Sequence, residues 1–300
     1  INLLGIDIGG TKVALRAESD GTQVEQTSFR WPSPPDRAAD REALRAHVAE
    51  VRARWGARHS GPFDAVGVAV PAALDDSGRV VAWPGRPAWV GLDLGGLLRE
   101  LFPDAAVRWG DDGDLAAVAE ADGAGHRNLV YLGVGTGVGG GIVVAGRPVP
   151  GPGRGSAELG HVIVDRSGPR CDCGRDGCVQ AAASGPATLR RAALLYGGPV
   201  RYEELRDALA AGRSWAVSAV EEGCAVLAAA AVGVAELVRP DAVVIGGGFA
   251  DGLPGFVPRV AAHVRRLARA GAPAPPVERA RLGGLSSLQG AVLLAKGEIG

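Results

Sequence analysis

"LLGIDIGGTKVALRAESDG" (residues 3–21) reads as an apolar strand, a tight turn of glycines and polar residues, a second strand and another turn. It predicts a β-hairpin with Gly9, Gly10, Thr11 and Lys12 at its tip. The same order returns in "NLVYLGVGTGVGGGIVVAGR" (residues 128–147), again strand, glycine turn, strand, turn. A chain whose two halves open alike is expected to fold as two similar α/β lobes with a cleft between them.

The segments after each hairpin fit that plan. Apolar residues recur at helical spacing over 40–55, and "FDAVGVAVPAAL" (63–74) reads as a buried strand ended by proline. "AAVRWGDDGDLAAVAEADG" (105–123) predicts a short strand, an acidic turn and an alanine-rich helix starting near Asp114, with Asp114 as its N-cap. Further helices are expected over about 217–238 and 253–270 and from about 285, with a strand over 241–248. "GAPAPPVERARL" (271–282), with its three prolines, reads as a loop into a short edge strand.

The chain has 300 residues, of which 47% are hydrophobic, enough for one large or two ordinary cores. Its 47 glycines cluster beside hydrophobic runs, as loops that approach a ligand closely would. A net charge of −1 with interleaved signs gives no basic face for nucleic acid. No apolar run reaches the roughly 18 to 20 residues of a membrane span, and the first residues lack the pattern of a signal peptide. The expectation is a cytoplasmic protein that binds neither nucleic acid nor membrane.

Missing side chains in "DIGGTK" (Asp7–Lys12) and "GVGTGVGGG" (Gly133–Gly141) let backbone N–H groups face an anion. Thr11 and Thr136 add hydroxyl donors and Lys12 a positive charge. Neither stretch fits the P-loop or Rossmann pattern. In "HVIVDRSGPRCDCGRDGCVQ" (161–180), His161, Cys171, Cys173 and Cys178 supply one imidazole and three thiolates, a donor set suited to tetrahedral zinc. Reduced, unliganded cysteines in a loop are the blander alternative. The C-x-x-C spacing of a thioredoxin-like redox turn is absent, and Cys224 reads as a small core residue.

Taken in order, "DIGGTK", the GTGxGGG hairpin, "GSAELGH" (155–161) and "CDCGRDGC" (171–178) resemble the ROK family of sugar kinases and sugar-responsive repressors, and the resemblance covers nearly the whole chain. It implies an α/β, two-lobed, actin-like ATPase fold of hexokinase type, built from ribonuclease H-like lobes and carrying a structural zinc loop. The implied division is an N-terminal lobe over 1–115, a C-terminal lobe over 116–284 and a final helix, 285–300, returning to the first lobe. The resemblance assigns ATP with Mg2+ to Asp7, Gly9, Gly10, Thr11 and Lys12, to Gly135, Thr136, Gly137 and Gly139, and to Gly246, Gly247 and Gly248 near the adenosine. It assigns zinc to His161, Cys171, Cys173 and Cys178, and it implies a homodimer. With six residues ahead of Asp7, an enzyme is expected rather than a DNA-binding repressor.

Within the resemblance, the acidic turn corresponds to the family's N-D-x-N. Asp112 then falls on the catalytic aspartate, which takes the proton of the sugar 6-hydroxyl, while Asp111 and Asp114 replace the two asparagines. Glu158 and His161 match residues that hold sugar hydroxyls, Gln180 stands for a glutamate, and Gly85 stands for the asparagine of a sugar loop. A carboxylate at position 111 accepts hydrogen bonds but donates none, and beside Asp112 it creates a repulsion that a substrate ammonium would relieve. The expected substrate is therefore an amino sugar such as 3-amino-3-deoxyglucose (kanosamine), which would place the enzyme in antibiotic biosynthesis. Glucose, N-acetylmannosamine and N-acetylglucosamine remain alternatives of the same class, and a catalytically silent sugar-binding regulator remains one of a different class.

Overall fold

The computed structural model describes residues 1–59, 61–151 and 154–299. The chain divides into two compact units. One comprises Ile1–Ala119, Pro150–Gly155 and Ser287–Gly300, and the other Glu120–Val149 and Ser156–Ser286.

In the first unit, β1 (Asn2–Ile8), β2 (Lys12–Ser19) and β3 (Thr22–Arg30) form an antiparallel ribbon. Then come α1 (Arg37–Gly56), β4 (Ala65–Ala69), a small pair of β5 (Ala73–Leu74) and β6 (Val80–Ala82), α2 (Leu94–Leu101), β7 (Ala106–Gly110) and the start of α3 (Asp112–Ala124). The five strands of the main sheet lie in the order β3-β2-β1-β4-β7, with β1, β4 and β7 parallel. All five residues of β4 are buried, as befits a parallel strand covered on both faces. Asp36 caps α1 by accepting from Ala39 N at 2.8 Å, and Leu44, Val48, Val51 and Trp55 form its buried stripe.

The second unit repeats this plan. It contains β8 (Leu129–Val134), β9 (Val138–Val144), β10 (Arg147–Val149), α4 (Val179–Ala183), α5 (Gly185–Tyr196), α6 (Tyr202–Ala210), α7 (Ser214–Val238), β11 (Ala242–Gly246), α8 (Gly248–Gly252), α9 (Phe256–Arg266) and β12 (Val277–Arg279). Its sheet runs β10-β9-β8-β11-β12, with β8, β11 and β12 parallel and the β8–β9–β10 ribbon antiparallel. The echo between the two hairpins thus extends to the order and direction of every strand in both sheets.

The last helix, α10 (Ser286–Lys296), packs on the first sheet through glycines. A Cβ on Gly67 would lie 1.9 Å from Ala291 O, and one on Gly5 would lie 2.6 Å from Val292 Cγ2. Only a strand without side chains at those two points lets the helix backbone come so close.

Three expectations change. Helix α3 starts at Asp112, and its cap is Asp111 instead of Asp114: Asp111 Oδ1 accepts from Gly113 N at 3.0 Å and Asp114 N at 3.2 Å. The helix expected over about 253–270 is the shorter α9, and a short helix that was not expected, α8, precedes it; Gly255, with a positive φ of 71°, stands just ahead of α9. Helix α7 is long and apolar enough to cross a membrane, with a window of mean hydropathy 1.6, because alanine and valine flank its few charges. Ala219, Val220, Cys224, Leu227 and Ala228 line a fully buried face of it, which is the packing of a core helix.

Candidate active site

The expected site residues fall into two sets, one in each unit. In the first, register places Asp7 beside Ala69 and Ala69 beside Gly110 across parallel strands. The glycine turn after β1 and the acidic turn after β7 therefore leave the same carboxyl edge of the sheet, where open α/β sheets bind ligands. Gly9 N donates to Lys12 O at 3.0 Å to close the first turn, leaving Thr11 and Lys12 exposed. Gly85 belongs to this set as well: a Cβ on Gly10 would lie 3.7 Å from Gly85 Cα. Next to it stand Arg86, Asp40 and Trp31, buried polar side chains that sequence reading passed over. The one local signal was an arginine inside the aromatic run "WPGRPAW" (83–89).

In the acidic turn, Asp112 is half-buried at the first position of α3 and Asp114 is buried in the same first turn. Carboxylates are favoured at the positive end of a helix. Asp7, one residue before the end of β1, has its carboxyl pushed up to about 6 by burial, with Lys12 opposing the shift. A folded-state value above the ordinary one means that this group's contribution to stability is fully present below the ordinary carboxylate range and is lost as pH rises through about 6. Replacing Asp7 by asparagine is accordingly expected to raise the melting temperature of the ligand-free protein by a few degrees at pH 8 and much less at pH 5. Thermal scans at the two pH values check this, and an equal shift at both would contradict it.

In the second unit, Gly133 of β8 pairs with Gly246 of β11, so the second glycine hairpin and Gly246–Gly248 share one sheet edge. Gly247 has a φ of 93°, and a Cβ there would lie 2.5 Å from Val134 N. Nothing lies within 4 Å of where Cβ atoms on Gly135, Gly139 and Gly248 would stand. That combination, backbone packed tightly on one side and open on the other, fits the ATP phosphates and adenosine expected there. Gln180 has a partner that the sequence did not indicate: its Oε1 accepts from Val138 N at 3.1 Å and braces the hairpin just past Gly137. Glu158 is exposed, and its carboxylate accepts from Ser156 Oγ at 3.0 Å.

His161, Cys171, Cys173 and Cys178 converge in the same unit, one ligand atom from each lying within 4.8 Å of the others. Cys171 Sγ is 3.7 Å from His161 Nδ1, and Cys173 Sγ is 3.6 Å from Cys178 Sγ, about the spacing that tetrahedral zinc imposes on sulfur and nitrogen ligands. Tight turns shape the loop: Cys171 N donates to Arg175 O, Gly174 N donates to Cys171 O, and Gly174 and Gly177 take φ of 88° and 76°. Hydrogen bonding from Arg175 pulls the Cys173 thiol down to about 6, whereas burial pushes Cys178 up to about 12. A divalent cation would hold all three as thiolates. The donor set thus fits zinc, with His161 turning Nδ1 toward the sulfurs.

The sequence model of the ROK family matches residues 3–298. A kanosamine kinase from Amycolatopsis mediterranei is 55% identical over 97% of this chain and 95% of its own. Among solved structures, a ROK hexokinase from Thermus thermophilus superposes with a TM-score of 0.86 at 31% identity, covering 99% of both chains. A ROK family glucokinase from Streptomyces griseus, solved with glucose and AMPPNP, gives a TM-score of 0.80 at 28% identity over 99% of this chain and 100% of that one. The fold is that of the ROK hexokinases, the actin-like ATPase fold.

Proposed function

The chain belongs to the ROK family and is an ATP-dependent sugar kinase; on that premise we propose that it phosphorylates the 6-hydroxyl of an amino hexose, kanosamine (3-amino-3-deoxyglucose). The observation that carries this reading is the pair of adjacent carboxylates, Asp111 and Asp112, where α3 begins. The capping bonds from Gly113 N and Asp114 N to Oδ1 hold the Asp111 carboxylate in a fixed orientation. A carboxylate held there recognises an ammonium on the sugar better than a hydroxyl, because the ammonium adds a full opposite charge to the hydrogen bond and relieves the repulsion between Asp111 and Asp112. The kanosamine kinase that is 55% identical to this chain supports the same substrate.

In this reading Asp112 accepts the proton of the 6-hydroxyl as that oxygen forms its bond to the γ-phosphorus and ADP leaves. Asp7, Gly9, Gly10, Thr11, Lys12, Gly135, Thr136, Gly137, Gly139 and Gly246–Gly248 would hold ATP and its Mg2+, which supplies neutralisation of the developing phosphate charge. Glu158 and the Nε2 side of His161 bind sugar hydroxyls, Gly85 leaves room in the sugar loop, and Asp114 supports the turn from inside the helix. Gln180 reaches the substrate only through the hairpin that it braces. The zinc loop shapes this half of the site and takes no part in the chemistry. The protein is further read as a cytoplasmic homodimer acting in an amino-sugar antibiotic pathway. Light scattering checks the dimer, which requires twice the chain mass of 30.4 kDa.

The test is Asp111→Asn. It is expected to shift the preference for kanosamine over glucose toward glucose by roughly tenfold to a hundredfold in kcat/KM, the worth of one charge-assisted bond. An unchanged ratio would remove Asp111 from substrate recognition.

A further inference from the structure

Beneath the first glycine turn lies a buried polar cluster that phosphoryl transfer itself does not require. Asp40 of α1 is fully buried, Arg86 is 4% exposed, and the guanidinium donates a short hydrogen bond to Asp40 Oδ2. Trp89 Nε1 donates to the same oxygen at 2.9 Å. The Arg86 guanidinium stacks 4.8 Å from the centre of the Trp31 ring, and Trp31 meets Trp89 edge-on at 5.4 Å. Two donors leave the cluster for the turn: Trp31 Nε1 to Gly9 O at 2.8 Å, and Arg86 Nε to Gly10 O at 3.1 Å.

Peptide planarity converts these two bonds into a statement about amides. In a trans peptide the N–H points opposite to the C=O. Drawing Gly9 O toward Trp31 and Gly10 O toward Arg86 therefore aims the N–H groups of Gly10 and Thr11 away from the cluster. Among the described residues, neither amide makes a hydrogen bond within the protein. Stability does not account for the cluster, since a buried ion pair is often matched or exceeded by apolar residues of similar volume. Asp40 Oδ1 is moreover buried without a hydrogen-bond partner among the described residues, a cost that packing alone would not retain.

We propose that Arg86 and Trp31 are positioning residues that aim the Gly10 and Thr11 amides at the nucleotide's phosphates. Because Arg86 lies one residue from Gly85, the Asp40–Arg86 pair also makes the sugar loop and the phosphate turn order together. The inference rests on the kinase reading above and extends it to residues that touch neither substrate.

Trp31→Phe keeps an aromatic, if smaller, ring and removes one donor. Arg86→Lys keeps the charge and removes the fork. Calorimetric titration with a non-hydrolysable ATP analogue and magnesium, together with steady-state kinetics and melting temperatures, separates positioning from mere stability. Trp31→Phe is expected to weaken nucleotide binding about threefold to tenfold and Arg86→Lys about tenfold to a hundredfold, chiefly in KM for ATP rather than kcat. The double variant should lose less than the product of the two, because both donors hold one turn. Trp55→Phe, the same chemical change elsewhere in this unit's core, should leave the nucleotide Kd unchanged. If folded Trp31→Phe and Arg86→Lys bind the analogue within about twofold of wild type, the proposal is wrong. Should Arg86→Lys fail to fold, Trp31→Phe decides alone. A wild-type protein that binds no nucleotide would overturn the kinase reading and this inference together, an outcome distinct from variants that match a binding-competent wild type.

Discussion

Asp112→Asn is expected to lower kcat by about three orders of magnitude while sugar and nucleotide dissociation constants stay within about threefold. The amide matches the carboxylate in size and keeps a hydrogen-bond acceptor, but it cannot take the proton of the attacking hydroxyl. Asp111 supplies the cap of α3, and the variant keeps both capping bonds, so the turn should survive the change. Single-turnover kinetics with matched binding titrations read the effect. A variant that keeps more than about a tenth of wild-type kcat would move the base to another residue.

The second large effect concerns the cysteine loop. Wild-type protein is expected to carry about one zinc per chain, and Cys178→Ser to lose it together with at least about a hundredfold in kcat/KM for the sugar. Cys178 is fully buried and immediately precedes α4, whose Gln180 holds Val138 N. On the other side of the loop, Gly160 packs so closely that a Cβ would lie 1.8 Å from Val138 O. Both ends of the cysteine loop thus rest on one residue of the second glycine hairpin, so losing the proposed metal should also weaken nucleotide binding. Elemental analysis and nucleotide titration check the two parts. Full activity in protein shown to contain no zinc would contradict the assignment.

The parts of the fold legible in the sequence were those with short-range signals. Each glycine hairpin announces itself through two apolar runs around a turn, and their likeness pointed to two related lobes before any strand order was known. Helices α4 and α5 were passed over although Ser184 caps α5, Pro186 lies in its first turn and Gly197 ends it with a positive φ. Their alanines carry too weak an amphipathic contrast to stand out. Asp111 and Asp114 both suit a cap, and the choice fell to the point where β7 ends, which pairing with β4 sets and local composition does not.

The candidate metal ligands were legible because four soft or borderline donors crowd one short stretch. Arg86 and Asp40 were not: they lie 46 residues apart, and nothing local marks a charge that finds its partner through the tertiary fold. Gln180 stood out as a departure from a pattern, yet its bond to Val138 across 42 residues became visible only in three dimensions.

The most direct test of the central claim is kcat/KM with ATP for 3-amino-3-deoxyglucose, glucose, glucosamine and N-acetylmannosamine under one magnesium concentration and pH. The account predicts the highest value for the 3-amino sugar, by roughly tenfold to a hundredfold over glucose. A preference for glucose or for the N-acetyl sugar would contradict it.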